Sequence, residues 1–147
     1  HAPTPPSAPA VPPEGHHEGG CLCGSVRYAV TGAPMKSGIC HCGTCRKQTG
    51  GVLVAWGVWP RDRFENLAGD TTRIQTSPIG ARRFCPTCGS TVFFEFESTG
   101  ASGPVEIMLA GLDRMAEVSP TFHQFTADAP SWLQFSDSRP LFAGRFT

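Results

Sequence analysis

The chain has 147 residues, about the size of a single domain, and its 12 Lys and Arg balance 12 Asp and Glu, so its formal net charge is zero. A neutral chain gives no general reason to bind a polyanion, which disfavours nucleic acid or an anionic membrane surface as a partner. No apolar run approaches the roughly 20 residues of a membrane span, and the start lacks a charged stretch followed by an apolar one, so neither a span nor a signal peptide is expected.

The first 18 residues differ in composition from the rest of the chain. They are rich in proline, at Pro3, Pro5, Pro6, Pro9, Pro12 and Pro13. Such a segment has little large apolar surface to bury, so residues 1–18 are predicted to form an extended, disordered tail. His16 and His17 close this segment and are interpreted as solvated tail residues. A single folded domain is predicted over residues 19–147.

From Gly19 onward the apolar residues mainly recur with period two, which is typical of β-strands. Alternating runs lie at 26–30, 52–58, 91–97 and 105–109, with Gly and Pro between them. Only the stretch near Thr44–Thr49 favours a turn or two of helix. The sequence therefore predicts a mainly β domain of short antiparallel strands, whose irregular loops carry the cysteines.

Seven cysteines fall in three tight groups, and their odd number excludes a complete set of intramolecular disulfides. The groups are Cys21 and Cys23; Cys40, Cys42 and Cys45; and Cys85 and Cys88. Cysteines one or two residues apart direct several thiolates at one small volume, as a metal ion requires, whereas disulfides usually link distant segments. The pattern therefore indicates metal-held thiolates in a reducing, cytoplasmic compartment.

The run Cys-Pro-Thr-Cys-Gly at 85–89 has the form of a zinc knuckle, a turn that brings two thiolates onto one metal. Gly89 suits the positive φ that such a turn needs after its second cysteine. A knuckle supplies only two ligands, and Cys21 and Cys23 are the natural second pair, because alternation in an extended segment points both side chains the same way. The two pairs together predict a closed, tetrahedral, structural zinc site.

The middle group, Cys40, Cys42 and Cys45, fills three of the four positions around a zinc ion. Zinc sites with three protein ligands and an open fourth position are the catalytic kind. His41 is a candidate fourth ligand, although in an extended segment its side chain points away from those of its neighbours. The alternative is a second structural site, closed by His41 or by a residue that the sequence does not identify. Iron is an alternative to zinc, since tetrahedral thiolate sites also suit iron.

Three thiolates on Zn²⁺ leave the open site with a net charge of about −1, so it is a poorer Lewis acid than zinc held by three histidines. Such a site is better suited to binding a soft fourth ligand, and a substrate thiol is the obvious candidate. Zinc would hold that thiol deprotonated at neutral pH. Arg46 and Lys47 follow the group directly and are either anchors for a carboxylate of the thiol or solvated surface charges.

Three stretches of sequence carry a family pattern. They read Gly-Cys-Leu-Cys-Gly-Ser-Val-Arg-Tyr at 20–28, Cys-His-Cys-Gly-Thr-Cys-Arg-Lys-Gln-Thr-Gly at 40–50 and Arg-Phe-Cys-Pro-Thr-Cys-Gly-Ser at 83–90. In this order and spacing they resemble the glutathione-dependent formaldehyde-activating enzyme family, also called the centromere-protein-V-like family. Weaker features agree at Ala110–Asp113, Pro120, His123 and Ala129–Trp132. His123 either faces the pocket or is a hydrogen-bonded framework histidine.

The resemblance implies a β-tent-like fold of twisted antiparallel sheets and two zinc ions per chain. It assigns the structural zinc to Cys21, Cys23, Cys85 and Cys88, and the catalytic zinc to Cys40, Cys42 and Cys45. This is also the partition that ligand counting gives. The family's named activity joins glutathione to formaldehyde as S-(hydroxymethyl)glutathione and is classed as that of a carbon–sulfur lyase.

The sequence therefore predicts a zinc-dependent carbon–sulfur lyase or synthase that acts on an adduct of a small thiol, with glutathione as the thiol that the resemblance implies. One alternative is a non-catalytic zinc module that binds a protein partner. Another is a redox sensor that releases zinc when its three adjacent thiolates are oxidised. A homodimer is a further possibility, because exposed edge strands of two copies of the chain could pair with each other.

Overall fold

The computed structural model describes residues 15–146. Within them the prediction of a mainly β fold is confirmed. The strands are β1 His16–Gly20, β2 Arg27–Thr31, β3 Lys36–Cys40, β4 Val54–Trp59, β5 Phe64–Ala68, β6 Thr72–Ser77, β7 Gly80–Phe84, β8 Thr91–Phe96, β9 Val105–Met108 and β10 His123–Gln124. One α-helix, α1, spans Gly43–Thr49, close to the predicted helical turn. Single 3₁₀ turns lie at Arg61–Arg63, Gly100–Ser102, Leu109–Gly111, Met115–Glu117 and Thr126–Asp128.

The described strands form two sheets. The smaller has the order β1-β2-β5, and the larger has the order β10-β3-β4-β9-β8-β7-β6. Pairing is antiparallel throughout, except that the short β10 runs parallel to β3. The predicted antiparallel arrangement therefore holds with one exception, at the edge that carries His123. No helix of the described residues is long and apolar enough to cross a membrane.

Strand β1 begins at His16, inside the segment that the sequence assigned to the tail. It pairs with β2 from His16 opposite Thr31 to Gly20 opposite Arg27. The sequence His-His-Glu-Gly-Gly has no alternation of apolar residues, so the strand was not predicted. At Gly19 close packing leaves no room for a side chain, since a Cβ there would lie 2.7 Å from the Tyr28 hydroxyl. The predicted disorder of the proline-rich stretch falls on residues 1–14, outside the described residues, and stays a prediction.

Both faces of the larger sheet are covered by apolar side chains. One cluster includes Trp59, Phe93 and Ile107 and extends to Cys21 and Cys85. The other includes Trp56, Phe94, Met108 and Phe122 and extends to Cys40. Because neighbouring residues of β4, β8 and β9 point to opposite faces, each strand contributes to both clusters. The fold thus gives the paired and the middle cysteine groups separate apolar surroundings.

Gly38 in β3 is required by close packing. A Cβ at this position would lie 2.8 Å from the Phe122 ring and 2.9 Å from the Trp56 ring. Gly38→Ala is therefore expected to overpack the cluster and lower the free energy of unfolding by about 1–3 kcal/mol, measured by chemical denaturation. Gly144→Ala is the control, because a Cβ there meets no atom within 4 Å. Equal stability of the two variants would contradict this packing argument.

Candidate metal centres

The two cysteine pairs meet at one end of the fold. Cys21 and Cys23 lie between β1 and β2, Cys85 and Cys88 lie between β7 and β8, and all four sulfurs are within 4.8 Å of one another. Sγ of Cys23 is 3.6 Å from that of Cys21 and 3.8 Å from that of Cys85. Tetrahedral zinc with Zn–S bonds of about 2.3 Å spaces its sulfurs by about 3.8 Å, whereas a disulfide needs about 2.05 Å. The four thiols are free and fit one tetrahedral metal ion.

Although burial opposes them, hydrogen-bond donors around the Cys85 sulfur lower the pKa of this thiol. The backbone N–H groups of Thr87 and Cys88 donate to Cys85 Sγ over 3.4 and 3.5 Å, as in a knuckle turn. The Ser25 hydroxyl lies 3.3 Å from the same sulfur. Gly89 has a φ of 79°, so the predicted left-handed conformation after the second cysteine is confirmed. This donor set is typical of a closed structural metal site.

The middle group lies where β3 passes into α1. Cys40 ends the strand, Cys42 is the N-cap of the helix, and Cys45 is in its first turn. The three sulfurs lie within 4.8 Å of one another, and the Cys45 N–H donates to Cys42 Sγ over 3.3 Å. Cys40 is buried, while Cys42 and Cys45 are partly exposed. The group can hold a metal ion through three sulfurs, with its exposed side turned to a cavity.

His41 does not join this group. Its side chain is fully buried and points away from the cysteines, with Nε2 2.8 Å from Nδ1 of His123. The ring also packs on Phe135 at 4.7 Å between centroids. Burial lowers the pKa of His41, so the ring is neutral. The group that the described residues offer to a metal here is therefore three cysteines, without a histidine.

His123 is a hydrogen-bonded framework residue, one of the two roles considered for it. Its Nε2 lies 2.8 Å from Asp137 Oδ2, and Arg139 Nη1 donates to the same oxygen over 2.8 Å. The hydrogen bond from His123, together with those from Arg139, lowers the pKa of Asp137 to about 2. The chain of contacts from His41 to Arg139 fixes the strand end that presents Cys40. Asp137 and Phe135 were not predicted from the sequence, because neither belongs to the cysteine stretches or to the weaker family features.

The three-cysteine group opens into a cavity of about 480 Å³. Its apolar wall includes Trp56, Phe94, Phe96, Met108, Phe125 and Phe146. Its ionisable groups other than the cysteines are Lys36, Arg82, Glu106, Asp128 and Arg145. A largely apolar cavity with a few convergent polar groups is the usual form of a small-molecule site. The cavity therefore suits a small ligand that reaches the three sulfurs.

Arg46 and Lys47 do not line this cavity. Both lie in the last turn of α1, where Lys47 is exposed and Arg46 partly buried. The cations inside are Lys36, Arg82 and Arg145, which come from β3, β7 and the C-terminal segment. The sequence did not reveal them because strand order and register, which no local pattern contains, bring these side chains to one cavity face. The carboxylate-anchoring role of Arg46 and Lys47 stays a prediction.

A larger cavity, of about 780 Å³, lies on the other side of α1 and reaches Cys21. Its charged residues, Arg27 and Asp113, are paired with each other, with Arg27 Nη1 donating to Asp113 Oδ1 over 2.9 Å. It contains none of the middle cysteines. Of the two cavities, the smaller one is therefore the one that contains the three-cysteine group.

Glu106 lies on the cavity face of β9. Burial raises the pKa of its carboxyl to about 7, although the positive charges of Arg82, Lys36 and Arg145 partly offset this effect. A carboxyl with a raised pKa stabilises the fold below the ordinary pKa of Glu, and that contribution is lost as the pH rises through the raised value. The fold therefore favours the neutral form of Glu106 at slightly acidic pH.

We expect Glu106→Gln to remove this pH dependence. Relative to the wild type, the variant is expected to gain stability between pH 5 and pH 8, by up to about 3 kcal/mol. The measurement is the melting temperature of both proteins, loaded with metal, across this range. Glu97→Gln is the control, because Glu97 is exposed. A difference between Glu106→Gln and wild type that does not change with pH would contradict the prediction.

Comparison with known proteins identifies the family. The family model described as glutathione-dependent formaldehyde-activating enzyme matches residues 16–128, well over half of the chain. The chain belongs to this family. The family predicted from the three cysteine stretches is thereby confirmed, and both candidate metal centres lie within the residues that match the glutathione-dependent formaldehyde-activating enzyme family.

Two further proteins are similar. An uncharacterized lyase of Schizosaccharomyces pombe is 28% identical over 83 residues, which are 54% of this chain and 58% of that protein. The chain thus matches less than two thirds of the length of this curated relative. A solved Rhodobacter sphaeroides protein is 17% identical, with a TM-score of 0.49 over 85% of this chain and 98% of that one.

Proposed function

We propose that this member of the glutathione-dependent formaldehyde-activating enzyme family is a carbon–sulfur lyase or synthase acting on an adduct of a small thiol. Membership of the family and the name of the lyase relative support the reaction class. The observation that carries the proposal is the three-sulfur group opening into an apolar cavity with cationic side chains. Glutathione is the thiol that the family description favours.

Zinc is the metal proposed for both cysteine groups, because four or three thiolates at these spacings fit its tetrahedral radius. The four-cysteine site would be structural and the three-cysteine site catalytic. When bound to Cys40, Cys42 and Cys45, zinc would supply a coordination position that keeps a thiol deprotonated at neutral pH.

The reaction needs the substrate sulfur and a carbonyl carbon to meet away from bulk water. In the forward direction the thiolate sulfur forms a bond to the carbonyl carbon, the C=O π bond breaks with its electron pair on oxygen, and that oxygen takes up a proton from solvent. In reverse, the hydroxyl proton returns to solvent, the C=O π bond re-forms, and the carbon–sulfur bond breaks to release the thiolate. The apolar wall around Trp56 and Phe94 would exclude competing water. Lys36 and Arg145 would hold a substrate carboxylate inside the cavity, and Arg46 and Lys47 would act only from its outside.

The test is the rate at which formaldehyde and glutathione interconvert with their adduct, measured by magnetisation-exchange NMR. The metal-loaded wild type is expected to accelerate exchange over the spontaneous rate, and Cys42→Ser is expected not to. Lys47→Ala separates the two anchoring sites, since it removes an exposed cation and leaves the cavity unchanged.

Two results would refute the proposal. One is a wild type with two metals that accelerates no thiol adduct in a panel of small thiols and aldehydes. The other is an acceleration that persists fully in Cys42→Ser. The first result would favour the non-catalytic zinc module as the function of the domain, and a search for protein partners would follow. The second would place the catalysis outside the three-cysteine group.

A further inference from the structure

Arg82 places a buried positive charge directly on the three-cysteine group. Only 5% of the residue is exposed, and its Nη2 donates to Cys45 Sγ over 3.3 Å. Its Nη1 donates to the Thr76 hydroxyl, and the guanidinium carbon lies 5.3 Å from the centroid of the Phe94 ring. Three contacts on different sides therefore hold the guanidinium against the sulfur.

This charge has no carboxylate partner within ion-pair distance in residues 15–146. None of the ion pairs formed there includes Arg82. The next residue, Arg83, points to the opposite face and donates to Glu95 over 3.2 Å. A buried charge needs a compensating charge, and the group that Arg82 touches is a cysteine sulfur. The arrangement is explained if that sulfur is a thiolate.

We propose that Arg82 is the counter-charge of the three-cysteine metal site, holding Cys45 in its ligating position and setting the affinity of the site for an anionic fourth ligand. The inference rests on the proposed function and adds a positioning residue to it. Three thiolates on a divalent metal leave about one negative charge, and the guanidinium cancels it. A substrate thiolate therefore approaches a neutral centre instead of an anionic one.

Two variants separate the effect of the positive charge of Arg82 from that of its planar set of N–H donors, called the fork. Arg82→Gln removes the charge and keeps a donor, whereas Arg82→Lys keeps the charge and loses the planar fork. The matched control is Arg83→Gln, one residue along the same strand and on the other face. Among the described residues, Arg82 donates to Thr76 and Cys45 and to none of the four paired cysteines, so retention of the metal of that group reports on folding in every variant.

The experiment uses cobalt in place of zinc, with 2-mercaptoethanol as the probe, because the thiolate is the only charge that this ligand carries. Chelator competition gives the affinity of the three-cysteine group for its metal. The protein's cysteines already produce a sulfur-to-cobalt charge-transfer band, so the increase in that band when the thiol is added measures thiol binding. Arg82→Gln is expected to weaken metal affinity by roughly tenfold to a hundredfold. It is also expected to weaken thiol binding to the metal that remains bound. Arg82→Lys is expected to lie between Arg82→Gln and wild type, and Arg83→Gln to match wild type.

Wild-type metal and thiol affinity in Arg82→Gln would overturn the inference, as would an equal loss in Arg83→Gln. If Arg82→Gln does not fold, Arg82→Met decides, because it also removes the charge but keeps apolar packing on Phe94. Wild-type affinities in that folded variant would overturn the inference. A wild type that binds the second metal but no thiol would refute the proposed function alone. In that case the metal affinities of the variants would still test Arg82 as the counter-charge.

Discussion

A Cys85→Ser variant is expected to be unfolded or severely destabilised, because it would break the proposed four-thiolate metal site inside an apolar cluster. The side chain is fully buried and its sulfur receives hydrogen bonds from the knuckle backbone. Structural zinc in small domains contributes about 10–16 kcal/mol of apparent binding free energy, and a whole domain is stable by only about 5–15 kcal/mol. The binding free energy lost with this metal would therefore be about as large as the whole free energy of unfolding of the domain.

Circular dichroism and metal content of the purified protein check this result. The informative comparison is the wild type treated with a strong chelator, which should unfold in the same way and refold when zinc is returned. A Cys85→Ser protein with a cooperative melting transition within a few degrees of the wild type would contradict a structural role for the four-cysteine site.

A Cys42→Ser variant is expected to stay folded, to lose one metal ion and to lose exchange activity. Cys42 is a partly exposed N-cap whose sulfur accepts a hydrogen bond from the Cys45 N–H. Serine is among the preferred N-cap residues, so α1 keeps its cap. Only the metal ligand is removed, since a serine hydroxyl is a poor ligand for zinc beside thiolates.

The checks are one metal per chain by elemental analysis, a melting transition close to that of the wild type, and an exchange rate equal to the spontaneous one. Thr44→Ala, in the same turn but without a ligand sulfur, is expected to retain both metals. Unfolding of Cys42→Ser, or retention of two tightly bound metals, would contradict the division of the cysteines into a closed and an open site.

The metal-binding groups were predictable from the sequence because their geometry is mostly local. Cysteines one to three residues apart in a turn reach one ion whatever the rest of the fold does. The direction of His41 followed from the alternation of an extended segment, and the helix near Thr44–Thr49 followed from the residues around it. The period-two pattern was likewise sufficient for the mainly β fold.

The surroundings of the open site were not predictable, because they depend on the order of strands in the sheet. Arg82 on β7 and Glu106 on β9 lie on the same cavity face, with Phe94 of β8 between them. That register is set by long-range pairing that no local pattern contains. Arg46 and Lys47, by contrast, are adjacent to the cysteines in the chain and lie outside the cavity. Nearness in sequence identified the cysteine groups but not the residues that surround them.

The buried histidine contacts show the same limit. His41 and His123 are 82 positions apart in the chain and their ring nitrogens lie 2.8 Å apart. This contact exists because β10 pairs with β3 in parallel, the one pairing among the described strands that departs from the antiparallel expectation. A two-residue strand has too few positions for an alternating pattern to reveal it.

Zinc X-ray absorption of the fully loaded protein tests whether the three-cysteine site is open and binds a thiol sulfur. Averaged over a closed and an open site, each zinc should have about 3.5 sulfur ligands, rising to about 4 when glutathione is added. S-methylglutathione, which has no free thiol, should leave the spectrum unchanged. A protein that already shows about 4 sulfurs per zinc, or a spectrum that glutathione does not alter, would contradict an open, thiol-binding site.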